Sequence, residues 1–193
     1  MAPSNPEIIL RQLNELLNEP IELTLIGRAA FILGYRPPIV GAEGLQTFDV
    51  DLVVPTDQEE ALDHNEAFWI ALERTNELLK GSDLYLGHIF LETQIILGNN
   101  WKERRARIVL PGADNLILFR PSSLDLLLSK MARADDPTDR ADILQLIAHE
   151  HFSPETVENA FELAHCPPEP DLIEQFEKAK AFIRSHYRLP PTG

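Results

Sequence analysis

Asp49 and Asp51 carry the strongest chemical signal in the sequence. They sit within Phe48–Val54, an otherwise apolar stretch that reads as the clearest strand of the chain. Residues at i and i+2 of a strand point to one side, so both carboxylates face one site. Such a pair can hold Mg2+, which takes oxygen ligands and usually completes its shell with phosphate oxygens of a substrate. Acidic pairs at this spacing also occur by chance at strand mouths. Charges inside an apolar strand, however, have to be paired or metal-bound. A second element lies at Ile26-Gly27, ahead of a short helical stretch over Arg28–Gly34. A strand, a glycine and a helix start together aim backbone N–H groups where a phosphate can meet them. The same pattern also serves as an ordinary tight turn.

The elements around these residues follow from periodicity and punctuation. Ser4–Asn18 reads as a helix, with Ser4 and Glu7 at capping-box spacing and an apolar stripe of Ile9, Leu13, Leu16 and Leu17. Ile21–Ile26 reads as a strand and Arg36–Gly44 as a loop. A second capping box, Thr56 with Glu59, opens a helix expected to run to about Lys80 and to end at Gly81. Leu84–Leu97 reads as one long strand, bent near Gly87, with His88, Glu92 and Gln94 on one face. Arg105–Leu110 and Asn115–Phe119 flank Pro111-Gly112, a hairpin signal. From Pro121 the pattern is helical. Ser122, Asp136 and Ser153 are the expected N-caps, and Val157, Ala160, Phe161 and Ala164 form one stripe, Leu172, Ile173, Phe176, Ala179 and Ile183 another. Strands first and helices last predict an α+β fold, with an α/β core over 1–120 and a helical region over 121–188, or one domain spanning 1–188.

Taken in order, these residues resemble the nucleotidyltransferase superfamily. Its members carry a Gly-Gly or Gly-Ser turn after one strand and an Asp-x-Asp pair on the next, matched here by Gly27-Arg28 and Asp49-Val50-Asp51. Lys130-Met131-Ala132-Arg133 and Asp139-Arg140-Ala141-Asp142 look like a helical signature of a bacterial branch related to abortive-infection and toxin–antitoxin nucleotidyltransferases. His88–Gln94 and Trp101–Arg105 look like an uncharacterised group of that branch, so the resemblance spans Ile21–Ile147. It implies a mixed sheet flanked by helices and transfer of a nucleotide from a nucleoside triphosphate to a hydroxyl acceptor. Asp49 and Asp51 would hold Mg2+, with Glu92 as the candidate third acid. Gly27 and Arg28 would lie at the phosphates, where a guanidinium could grip one or block the pocket. Lys130 and Arg133 would either approach the triphosphate or join Asp139 and Asp142 in an ion-pair network. The alternative is a degenerate site on the same fold, acting as a protein-binding module, for example in a toxin–antitoxin pair.

Composition limits the setting. The 193 residues suffice for a buried core, and 44% hydrophobic with 25% charged residues is ordinary for a globular chain. The net charge of −14 repels nucleic-acid backbones, which disfavours non-specific binding to DNA or RNA but suits a small basic partner protein. The local cluster Lys102, Arg104, Arg105 and Arg107 is either a phosphate or acidic-partner contact or a solvated loop. With one cysteine, Cys166, no internal disulfide forms, which fits a reducing compartment. The N-terminal residues lack the pattern of a signal peptide, no apolar run spans a bilayer, and a cytoplasmic location without membrane contact is expected.

Overall fold

The computed structural model describes residues 3–39 and 47–188. The elements begin with α1 (Asn5–Leu16), β1 (Ile21–Ile26), α2 (Gly27–Leu33), β2 (Asp49–Val54), α3 (Thr56–Asp63), α4 (Glu66–Leu79) and β3 (Tyr85–Leu91). Then come β4 (Leu97–Gly98), β5 (Ala106–Ile108), β6 (Leu116–Arg120), α5 (Ser123–Lys130) and α6 (Pro137–Glu150). The last three are α7 (Pro154–Glu162), β7 (Ala164–His165) and α8 (Pro170–Arg188). By contact the chain divides into two compact units. Met1–Glu92 with Arg105–Pro121 forms the first, and Thr93–Arg104 with Ser122–Gly193 the second. The helical unit therefore also takes up a segment from between β3 and β5.

The first unit is α+β and carries a mixed five-stranded sheet in the order β3-β2-β1-β6-β5. β1 runs antiparallel to β2 and parallel to β6, β2 runs parallel to β3, and β5 closes the edge antiparallel to β6. Along β2, buried Val50 and Leu52 alternate with half-exposed Asp49 and Asp51. The buried set packs with α1 and α2, while α4 packs on α1 and β3, and the apolar stripes of these helices supply Ile9, Leu10, Leu13, Phe31 and Phe68 to the core. The expected β5–β6 hairpin forms, with Gly112 at its turn in the left-handed region at φ 75°.

Four local expectations fail. The helix expected over Thr56–Lys80 is two helices. Asn65 accepts the Phe68 N–H at 3.0 Å and so starts α4, while the Trp69 indole donates to the Leu62 carbonyl across the break. The capping boxes at Ser4 and Thr56 are not made. Glu7 pairs with Arg11, the buried Ser4 hydroxyl has no partner among the described residues, and the Thr56 hydroxyl donates to Glu92. The strand expected to reach Leu97 stops at Leu91, opposite Val54, because β2 itself ends there. Asp83, not Gly81, takes the left-handed conformation after α4.

The second unit holds α5 to α8. Ser122, Asp136 and Ser153 cap α5, α6 and α7 through side-chain oxygens that accept backbone N–H groups, as their positions predict. Thr93–Arg104 belongs here because β4 pairs with β7, Trp101 is buried, and the Gly98 N–H donates to the buried Asp125 carboxylate at 2.9 Å. Of the two expected stripes, Val157, Ala160, Phe161, Phe176, Ala179 and Ile183 are buried, whereas Ile173 is exposed. The tail 189–193 and the 40–44 portion of the expected loop lie outside the described residues.

Candidate functional site

Asp49 and Asp51 project from the same face of β2 and converge over Gly87 of the neighbouring strand. A Cβ placed on Gly87 would come within 2.5 Å of Asp51 Oδ1 and 3.4 Å of Asp49 Cβ. The ladder between β2 and β3 shifts between Val50 and Leu52, so Gly87 and His88 lie beside Asp51. That irregularity turns the His88 N–H onto Asp51 Oδ1 at 2.8 Å, and the His88 imidazole Nδ1 lies 3.6 Å from the same oxygen. Asp49 Oδ1 accepts the Thr47 hydroxyl at 2.6 Å. On the other side, Asp51 is the register partner of Ile26, and Asp51 Oδ2 lies 3.8 Å from where a Gly27 Cβ would be. Gly27 itself has φ 63°, a conformation that glycine adopts without strain and that lets β1 turn directly into α2.

The electrostatics of the pair are distinctive. Burial pushes the Asp51 carboxyl above the usual range, the His88 N–H works against that shift, and the charge of Asp49 adds to it. Among the described residues no lysine or arginine forms a salt bridge with either aspartate. Two neighbouring carboxylates held without a cation are a natural place for one to bind. As a donor set they suit Mg2+, since each keeps oxygen lone pairs beyond its single hydrogen bond. They would fill only part of a six-oxygen shell. Among the described residues no group of three or more histidine, cysteine, aspartate or glutamate side chains is arranged around a metal position.

Glu92 does not join the pair. It lies in a 3-10 turn after β3, with its carboxylate on the Thr56 hydroxyl at 2.6 Å. Leu91 is level with Val54, which puts Glu92 about four residues, or roughly 13 Å, along the strands from Asp51. The expectation that Glu92 shares a strand face with His88 fails because the strand ends before it. At the level of the aspartates, β3 offers Tyr85, Leu86, Gly87 and His88 and no carboxylate.

Lys130 and Arg133 lie in the second unit, in the ion-pair network that was the competing reading. Lys130 Nζ reaches Asp139 at 2.6 Å and Asp142 at 2.9 Å, and Arg133 Nε reaches Asp139 at 2.7 Å. The basic cluster also disperses. Arg104 binds Asp125, whereas Arg105 is nearly buried against Glu22, Thr24 and the Phe119 ring, over which Arg107 also lies. Arg28 is half-buried in the first turn of α2. The residues that sequence reasoning missed are Gly87 and the His88 N–H. Their one signal was a glycine inside a strand, which marks a bulge or a close approach of another group.

No family model, curated protein or solved structure matches the chain. Among the described residues no helix is long and apolar enough to cross a membrane.

Proposed function

We propose that the protein binds a magnesium–nucleoside triphosphate on the Asp49–Asp51 face of its sheet and acts as a nucleotidyltransferase toward a hydroxyl acceptor. One observation carries the reading: two carboxylates that, among the described residues, have no lysine or arginine salt bridge converge on one side of β2, with the Gly27 turn directly beside them. Bound Mg2+ would supply charge neutralisation at the phosphates and activation of the acceptor oxygen. Asp51 and Asp49 would hold it through the oxygens not committed to His88 and Thr47. The His88 N–H would keep Asp51 in place during binding, and Gly27 would leave room for a phosphate to approach the backbone.

A second reading is favoured by the position of Glu92. With no third carboxylate level with the pair on β3, the site can bind a nucleotide yet lack a group to take the acceptor's proton. The protein would then work as a binding module, with a partner protein as its target. Incubation with each labelled triphosphate, Mg2+ and total cell extract separates the readings. Label transferred to an acceptor by the wild type and not by Asp51→Asn supports the enzyme. Triphosphate binding without transfer supports the module. Absence of binding with all four common triphosphates removes the enzyme and leaves a degenerate site on a module that works through its protein partner alone.

A further inference from the structure

A cavity of about 180 Å3 opens between α3 and the β1–β2 ladder. Its walls include Glu22, Thr24, Val53, Gln58, Leu62 and Asn65. The Thr24–Val53 rung is two residues from the Ile26–Asp51 rung, so the cavity starts about 7 Å along the sheet from the acid pair. That volume is below the roughly 300–1,000 Å3 of drug-sized sites and suits a single ring system.

The polar wall is fixed in advance by a chain of hydrogen bonds. Arg105 donates to Glu22 at 2.9 Å and to Thr24 at 2.8 Å, with its guanidinium 4.6 Å from the Phe119 ring centre. Glu22 in turn accepts the Gln58 amide N–H at 2.7 Å. Asn65 Oδ1 is held by the Phe68 N–H at 3.0 Å as the cap of α4. These bonds settle which atoms remain for a ligand. Gln58 keeps its carbonyl oxygen as an acceptor, Asn65 keeps its amide hydrogens as donors, and the Thr24 hydroxyl, already accepting from Arg105, keeps a proton to donate. Leu62 and Val53 belong to its apolar wall. An acceptor and a donor from two amides, beside an apolar wall, is the arrangement that reads the edge of a heterocyclic base.

We infer that this cavity receives the nucleobase of the nucleotide whose phosphates lie at Asp49 and Asp51. The inference rests on the nucleotide reading above, and it names a site on the chain that the reading does not need. A ribose spans the gap between a phosphate at Asp51 and a base at Thr24. Every base edge presents a neighbouring donor and acceptor, so the amides admit a base without selecting one.

Calorimetry on the full-length protein tests this with two probes used separately: the four free nucleosides, and inorganic tripolyphosphate with Mg2+. At least one nucleoside should bind the wild type. Asn65→Asp keeps the oxygen that caps α4 and removes the amide donor, and it should weaken that nucleoside about tenfold, the equivalent of one good hydrogen bond. Gln58→Met, which keeps the size and removes the amide, should do the same, so the conclusion does not hang on one variant. Neither should change tripolyphosphate binding. Tripolyphosphate binding without any nucleoside binding overturns the cavity assignment and leaves the proposed function standing. Nucleoside binding that both variants leave intact also overturns it. Nucleoside binding without tripolyphosphate binding instead supports the cavity and removes the metal–phosphate reading.

Discussion

The two units each place a pair of aspartates close together and treat them in opposite ways. In the helical unit Asp139 and Asp142 are almost fully buried, and the ammonium of Lys130 bridges them while Arg133 adds a second contact to Asp139. In the sheet unit Asp49 and Asp51 are half-buried, and their partners are a hydroxyl, a backbone N–H and the His88 imidazole at 3.6 Å. The first arrangement neutralises its charge within the chain. The second leaves like charges close together, and burial first, with the Asp49 charge adding to it, raises the Asp51 pKa. Carboxylates with raised pKa values cluster at functional sites. The contrast separates structural acids from candidate functional ones more sharply than residue type or spacing does.

The comparison breaks first, and by the largest margin, at Lys130. Lys130→Met takes the bridging ammonium from two buried carboxylates, and removing one partner of such a group costs about 3–5 kcal/mol. Thermal melting should show a large fall. The double variant Lys130→Met with Asp142→Leu should recover much of it, since an apolar replacement no longer strands that charge. A single variant as stable as wild type would mean that the network is not structural.

Gly87→Ala tests the other pair. The new Cβ would lie 2.5 Å from Asp51 Oδ1, so the carboxylate has to leave the His88 N–H. A stability loss of about 1–2 kcal/mol is expected, together with loss of Mg2+–tripolyphosphate binding in calorimetry. Retained binding would show that the pair works without this placement.

Asp51→Asn should move stability the other way. The folded protein raises the Asp51 pKa, so between the unfolded value near 4 and the folded value the native state binds more protons than the unfolded one. Stability from this group therefore falls as pH rises through that window, and the penalty is complete above the folded pKa. Asparagine carries no such penalty and can still accept the His88 N–H. Its melting temperature should exceed the wild type's at pH 7, at roughly 2–4 °C per kcal/mol for a chain of this size. The difference should shrink toward pH 4. A variant less stable than wild type at pH 7 would place Asp51 with the structural acids.

The smallest effect is expected at Glu92→Gln. The amide oxygen can still accept the Thr56 hydroxyl, so stability should stay within about 0.5 kcal/mol and tripolyphosphate binding should not change. Lost binding would contradict the separation of Glu92 from the acid pair.

Signals carried by neighbouring residues were readable in the sequence. The bounds of β1, the caps at Ser122, Asp136 and Ser153, and the placement of Asp49 and Asp51 on one strand face all rest on local chemistry. Signals set by distant partners were not. β3 stops at Leu91 because β2 stops at Val54, and nothing in the residues after Leu91 announces that. Thr56 looks like a cap until Glu92, 36 residues away, takes its hydroxyl. Lys130 and Arg133 had two readings, and only the meeting of α5 with α6 decides that their charges go to Asp139 and Asp142. The role of Gly87 stayed hidden because it depends on a carboxylate from another strand, not on a turn of its own.

The chain enters the helical unit at Thr93, leaves it after Arg104 and returns at Ser122. The helical unit is therefore not inherited as one contiguous stretch of coding sequence. A recombination event at Ser122 alone would carry α5 to α8 into another gene without β4 and Trp101. An incoming set of helices would likewise meet a β4 shaped for a different β7. Gene fusion at one junction can exchange a terminal module freely, but here it would have to exchange two segments at once. The interleaving ties the two units into a single heritable piece.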